Sequence, residues 1–496
     1  MVQNTKQAIV KLEEQLNNLE TLKKKIVFGI VTYTLRTFFI QAYTFAATFI
    51  LTVILLPDIF GVYFVVLALI NLLVYFSDIG LAAALIQKKE EPTREDLVTT
   101  FTIQQLIILI IVFLGLIFSS KISNFYNLDH NGLFLYRMLI FSLFLSSLKT
   151  IPSIILERNL NFTKFVIPQV AENVVFYTLA IILALKGFGI NSITWSILAR
   201  GLVGLIFIYI LSPFKVSLGI NKESAVKLIS FGIPFQLNSI LALIKDDLLI
   251  VVIGKILSFS EVGYIGWSQR FAFVPLRFIM DNVIKVTFPA YSRLQHDSQY
   301  LKIAIEKSLF FVTFIVYPFI VGLVIISPRL IDIIPRYQKW EPALPLLYFF
   351  AINAIFASVN TTLTNTLFAL GKPSIILKLM IFWTALNWVL TLFFIKMFGF
   401  AGVAVASALV AASTSVIIYF VNKEIEISVT KNIYSPVISS ILMFIILKLL
   451  NSFIPTSVLG LCLIVTIGII LYASFSFLIL REKLIENFKA VFRSIN

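Results

Sequence analysis

Four ionisable residues at regular spacing stand out in a chain that carries few charges. Arg270, Arg277, Asp281 and Lys285 are seven, four and four residues apart, which at 3.6 residues per turn puts them on one helical face. Arg277, Asp281 and Lys285 can pair among themselves at i,i+4, whereas Arg270 has no local partner at that spacing. A guanidinium facing a cavity captures phosphate through two parallel N–H···O bonds, which a lysine cannot do. The expected chemistry is therefore anion binding, and Arg270 is its first candidate.

Further charges lie inside apolar runs, where an ionisable group is costly and by default marks a path for substrate or ion. The first half of the chain has Arg36, Lys149 and Arg200 with the acids Asp78 and Glu172; the second adds Lys245 with Asp246 and Asp247. Arg36 and Arg200 fall near the middle of their runs, too deep to snorkel easily. The basic residues Arg36, Lys149, Arg200, Arg270 and Arg277 are the expected substrate-binding set. The acids Asp78, Glu172, Asp246, Asp247 and Asp281 are read as ion-coupling groups or as charge partners. A buried carboxylate such as Glu172 can take up a proton or bind Na⁺, and it can equally pair with Lys149 or Arg200. The alternative for the whole group is that these charges only tie helices together. Polar side chains expected beside them, for a sugar headgroup, are Gln41, Asn238, Asn282 and Asn360.

Other chemistries find little footing. The two histidines, His130 and His296, have no partner at ligand spacing, and the single Cys462 rules out a disulfide framework or a cysteine-built metal cluster. There is no Asp-x-Asp, no His-Glu pair and no phosphate-binding loop. No catalytic residue, metal or cofactor is expected.

The elements that must position these charges follow from composition. Of 496 residues, 59% are hydrophobic and 13% charged, against about 25% charged in a soluble domain. Most of the surface must face hydrocarbon, where backbone groups have to be satisfied within helices. Hydropathy gives an all-α, polytopic membrane protein with fourteen spans, at about 26–56, 61–86, 98–118, 133–156, 165–185, 190–211, 229–254, 263–288, 303–326, 343–369, 374–398, 400–421, 433–451 and 457–480. The longest loops on the outer side, about 119–132 and 327–342, are too short for a catalytic domain. Basic residues fall 25 on the side of the N-terminus against 9 on the other, which places both termini in the cytoplasm and accounts for the net charge of +15 without nucleic acid. Residues 9–26 carry Ile9, Leu12, Leu16, Leu19 and Ile26, the pattern of an amphipathic helix that lies on the membrane or pairs with a partner helix.

A duplication runs through the chain. Phe28-Gly29 recurs as Phe231-Gly232, Phe60-Gly61-Val62-Tyr63 as Glu261-Val262-Gly263-Tyr264, and Phe188-Gly189 as Phe398-Gly399, at offsets of 203, 202 and 210. Six spans separate the copies, so both insert in the same sense, as in transporters with parallel repeats. The expected organisation is an amphipathic cytoplasmic helix over 1–25, an N-lobe of helices 1–6 over 26–215, a C-lobe of helices 7–12 over 216–422, and helices 13–14 with a cytoplasmic tail over 423–496. Two like bundles leave a central cleft, and rocking them gives alternating access.

Three stretches carry a resemblance. They are Phe60-Gly61-Val62-Tyr63 with Ser77-Asp78-Ile79-Gly80 and the run to Lys89; Ile151-Pro152 with Leu156-Glu157-Arg158-Asn159-Leu160-Asn161-Phe162; and Gly254 through Val262-Gly263-Tyr264 and Pro275 to Phe288-Pro289-Ala290-Tyr291. The chain resembles the polysaccharide transporters, the O-antigen and exopolysaccharide flippases of the multidrug, oligosaccharidyl-lipid and polysaccharide exporter superfamily. That resemblance implies a flippase in the cell membrane that moves undecaprenyl-pyrophosphate-linked oligosaccharide from the cytoplasmic to the outer leaflet. It also places Arg36 and Arg270 in segments where cleft arginines recur. Coupling to H⁺ or Na⁺, and polymerase or ligase proteins as partners, belong to the same expectation. A lipid II flippase or an ion-coupled multidrug exporter would share the fold.

Overall fold

The computed structural model describes residues 37–88, 90–159, 161–237 and 240–495. Arg36, Asn238 and the amphipathic segment 9–26 lie outside them. Among the described residues the regular structure is helical, and twelve helical segments are long and apolar enough to cross a membrane. They coincide with the first six and last six of the fourteen expected spans. The expected seventh span falls on a series of short helical segments and the eighth on a longer, more polar helix, so the count of fourteen is approximate. The multi-pass, all-α class stands.

The chain forms two compact units: one runs up to Leu55 and resumes over Val66–Leu243, the other takes Leu56–Val65 and everything from Ile244. The first unit holds α1, described over Thr37–Ile54, and most of α2 (Pro57–Asp78). It continues with α3 (Leu81–Gln87), α4 (Arg94–Ile117), α5 (Ser119–Tyr126), α6 (His130–Leu148), α7 (Thr150–Arg158), α8 (Phe162–Leu185), α9 (Ile190–Leu211), α10 (Lys222–Leu237) and α11 (Ile240–Leu243). The second holds the π-helix Ile244–Leu248, α12 (Leu249–Ile256), α13 (Phe259–Leu294), α14 (Ser298–Ile333), the 3₁₀ turn Gln338–Ala343, α15 (Leu344–Ala369), α16 (Pro373–Phe398), α17 (Ala401–Ala412), α18 (Thr414–Glu424), α19 (Val429–Leu450) and α20 (Val458–Ile495). The stretches expected as outer loops, 119–132 and 327–342, are largely helical. In the second of them Trp340 is fully buried and anchors the turn by stacking on Trp267 at 5.5 Å.

In the first unit the turn after α2 has a mechanical reading. Ile79 and Gly80 both adopt positive φ, and the Asp78 carboxylate accepts the Ala82 N–H at 3.2 Å, so the acid caps α3. A Cβ on Gly80 would overlap the Gly232 backbone, and one on Gly232 would press on Ile79 and Gly80. Beside this crossing, Tyr75 and Gln236 bond each other's backbone oxygen. Arg158 then closes α3 at its far end, donating to the carbonyls of Leu85 at 2.7 Å and of Ile86, Lys88 and Glu90 at 2.9 Å. A guanidinium suits that task because it offers five donors in a fixed fork to carbonyls the helix leaves unsatisfied. Leu81, Leu85, Phe101, Ile151, Ile154 and Leu228 form the apolar core underneath.

In the second unit the opening turns of α2 and α13 cross at the repeated glycines. A Cβ on Gly61 would overlap the Phe259 carbonyl, and one on Gly263 would overlap the Pro57 carbonyl. The Phe64 ring packs onto Gly266 in the same crossing. Each pair maps onto the other by the offset of 202 that relates the two copies. Side chains at both positions are excluded because the backbones touch. Gly61→Ala and Gly263→Ala are each expected to destabilise by about 1–3 kcal/mol through overpacking, read as a fall in melting temperature of the detergent-solubilised protein. A control substitution at Gly322, where an added Cβ meets nothing within 4 Å, should leave the melting temperature nearly unchanged.

Candidate functional sites inside the two units

The first unit brings together three of the residues singled out by sequence. Glu172 on α8 is buried; its Oε1 accepts from Lys149 Nζ at 2.6 Å and its Oε2 lies 3.5 Å from Arg200 Nε. The local sequence makes room for this carboxylate. Gly204 stands one turn after Arg200 on α9, and a Cβ there would overlap Glu172 Oε1. Lys149 sits at the break between α6 and α7, where the Leu148 carbonyl accepts the Tyr209 hydroxyl at 3.1 Å. Arg200 is half exposed and lies over the Phe176 ring at 6.0 Å. Two cations on one buried carboxylate leave the cluster with an excess positive charge, and the exposed guanidinium carries it. Asp78 stands apart as the cap of α3.

In the second unit, Lys245, Asp246 and Asp247 lie on the π-helix Ile244–Leu248. A single π turn inside an α-helical run is rare and recurs at functional sites, because the widened ladder leaves carbonyls poorly paired. Trp388 on α16 ties this turn down, its Nε1 donating to the Ile244 carbonyl at 3.0 Å. Asp246 is within electrostatic reach of Lys245, Asp247 and Arg277, so α13 and the π turn share one charged region. Asp247, Arg277 and Lys285 are all engaged with neighbouring groups. Asp281 belongs to the same helix, α13.

Arg270 is arranged differently. It is exposed, its guanidinium lies 4.4 Å from the centre of the Phe64 ring, and among the described residues no carboxylate pairs with it. Stacking on an aromatic face fixes the guanidinium plane and leaves its N–H edges free for an oxyanion. Gly266 is what lets Phe64 reach this position, since its missing side chain is the space the ring occupies. Of the polar candidates, Asn282 donates to the Phe278 carbonyl at 3.0 Å. Asn360 has a buried side-chain oxygen without a partner among the described residues.

Some of these features had no sequence signal. The π turn is one, and Phe64 as a platform for Arg270 is another, because it follows from the glycine crossing rather than from any motif. In the structure the Glu172 carboxylate is paired with Lys149 and Arg200.

Comparison with known proteins agrees with this architecture. In solved structures the chain is similar to the lipid II flippase MurJ in an inward closed conformation, with a TM-score of 0.76 over 92% of this chain and 100% of that one at 18% identity. It is also similar to an inward-facing multidrug resistance MATE family transporter of the MOP superfamily, with a TM-score of 0.58 over 77% of this chain and 95% of that one at 15% identity. At these identities the likeness is one of fold. In sequence it is 24% identical over 371 residues to the succinoglycan biosynthesis transport protein ExoT of Rhizobium meliloti, covering 74% of this chain and 72% of the relative. It is 23% identical over 348 residues to the teichuronic acid biosynthesis protein TuaB of Bacillus subtilis, covering 70% of each. Residues 50–345 match the family described as polysaccharide biosynthesis protein, and with more than half of its length inside that match the chain belongs to this family of membrane proteins.

Proposed function

We propose that this protein is a flippase that moves undecaprenyl-pyrophosphate-linked oligosaccharide from the cytoplasmic to the outer leaflet of the cell membrane, for surface polysaccharide biosynthesis. The observation that carries the reading is the family match together with relatives named for polysaccharide transport and biosynthesis. The physical need is plain. A sugar headgroup cannot cross hydrocarbon unaided, because each hydroxyl stripped of water costs several kcal/mol.

In this reading the protein transports and performs no covalent chemistry. Arg270 takes the pyrophosphate as a planar, pre-oriented fork, and Arg200 offers a second exposed guanidinium. Arg36 and Arg277 complete the basic set, with Lys149 holding Glu172 in place. The π turn with Asp246 and Asp247 is the place where H⁺ or Na⁺ would couple to transport, with Arg277 within electrostatic reach of Asp246 and Asp281 further along the same helix, α13. Alternating access uses the N-lobe, 26–215, and the C-lobe, 216–422, with both termini cytoplasmic. The likeness to MurJ concerns the fold and leaves the choice of cargo to the family match.

Deleting the protein from its source cell should abolish surface polysaccharide and accumulate lipid-linked oligosaccharide that an externally added glycosidase cannot reach. Re-expression should restore both. Normal surface polysaccharide and no accumulated intermediate in the deletion strain would contradict the proposal.

A further inference from the structure

A lateral crevice in the second unit shares no lining residue with the set assigned to pyrophosphate. It lies among α14, α15 and α19, with a cavity volume of about 510 Å³, and its walls include Ile320, Val324, Ala351, Ile355 and Phe444. Tyr348 and Ile352, also on its lining, are exposed at 39% and 43%, so it opens sideways onto an apolar surface. Such a space does not hold water, which needs two or more polar partners, and left empty it forfeits the dispersion contacts of its walls. In a membrane-spanning chain the material at hand to fill it is a hydrocarbon chain.

One end of the crevice is polar and positive. Lys448, in the last turn of α19, and Asn451 line it. Lys448 is exposed, lies over the Phe444 ring at 5.9 Å, and among the described residues pairs with no carboxylate. Behind it Arg329 is almost wholly buried, at 2% exposure. Arg329 donates to Asn451 Oδ1 at 2.5 Å and to the carbonyls of Asn451 at 2.5 Å, Ile454 at 2.9 Å and Pro455 at 3.1 Å. Those oxygens solvate the guanidinium without neutralising it, and no acid among the described residues pairs with it. Because Asn451 Oδ1 accepts from Arg329, its Nδ2 is left as a donor that no described residue claims. An apolar slot thus ends in two uncompensated cations and a free amide donor, at the end of a spanning helix where lipid headgroups lie.

We propose that this crevice binds a membrane phospholipid with an anionic headgroup, one acyl chain lying along α14 and α15 and the phosphate seated on Lys448 and Asn451. The volume falls in the range of about 300–1,000 Å³ that encloses a small ligand, which suits one acyl chain and not the several-fold longer polyprenyl tail of the proposed cargo. Since α19 and α20 pack on α14 through Ile325, Met443, Leu447, Ile464 and Tyr472, a lipid wedged here would fasten that pair of helices to the rest of the unit. The inference is independent of the cargo.

The test is lipid retention. The full-length protein is incubated with vesicles holding equal amounts of phosphatidylglycerol, phosphatidylcholine and polyprenyl phosphate, and retained lipid is counted by native mass spectrometry. Wild type should retain phosphatidylglycerol about fivefold over phosphatidylcholine, because the choline cation offsets the phosphate charge at Lys448 whereas the glycerol headgroup leaves it net negative, a difference of about one lysine–anion interaction near the surface. Lys448→Gln, at an exposed position that does not endanger folding, should bring that ratio close to one. Val324→Phe, which fills the slot, should lower retention of both phospholipids. Equal retention of the two phospholipids by wild type, preferential retention of polyprenyl phosphate, or a preference unmoved by Lys448→Gln would each overturn the proposal.

Discussion

Replacing Arg270 by alanine should reduce translocation on the order of 100-fold or more while leaving the protein folded and inserted. The residue is exposed and stacked on Phe64, and no ion pair among the described residues depends on it, so its removal leaves no orphaned buried charge. What is lost is a bidentate contact to phosphate. Hydrogen bonds to charged groups contribute about 1.5–3 kcal/mol each, and every 1.4 kcal/mol is tenfold. Arg270→Lys should recover only part of the rate, because an ammonium is a point charge without the planar fork and stacks less well on an aromatic ring. Initial rates in proteoliposomes, with melting temperature as the control for folding, check this. Equal rates for wild type and Arg270→Ala would remove Arg270 from the substrate path.

Glu172→Ala should act through stability instead. Removing the carboxylate leaves Lys149 without the partner that now lies 2.6 Å away, in a site where the side chains are 16% and 12% exposed. Taking one partner from a buried pair costs about 3–5 kcal/mol because the other charge is stranded. The Arg200 part of the loss is smaller, since that residue is 47% exposed and reaches solvent. The expected result is a large drop in melting temperature and poor yield of inserted protein. Glu172→Ala combined with Lys149→Met should recover much of the stability, because the stranded charge goes with the acid. If the single variant were as stable as wild type but failed to transport, Glu172 would be a coupling group and not a structural partner.

The two variants illustrate how unevenly the sequence speaks about structure. Hydropathy located the twelve apolar helices because length and apolarity suffice to define a span in hydrocarbon. It was least secure where charge interrupts the pattern, at α10 to α13, where a π turn takes the place of regular α-helix over Ile244–Leu248. Intramembrane charges were legible as a set, since their cost makes them conspicuous. Their partners were not, because pairing depends on which helices meet: Lys149, Glu172 and Arg200 come from three different helical segments. Arg158 and Arg329 carry no sequence sign of their role as clamps, since both serve backbone carbonyls and carbonyls leave no mark in a sequence. The repeated glycines showed as dipeptides in register, yet their reason, two backbones touching at Gly61 and Gly263, required coordinates.

The central claim is that this protein moves lipid-linked oligosaccharide between leaflets. The most direct measurement reconstitutes the purified protein in liposomes and follows fluorescent undecaprenyl-pyrophosphate oligosaccharide reaching the opposite leaflet, where a membrane-impermeant quencher finds it. Protein-dependent translocation by wild type and its loss in Arg270→Ala are the expected results. Wild type that moves no lipid-linked sugar, but extrudes cationic dyes from the same liposomes, would contradict the account and assign the fold here to drug export.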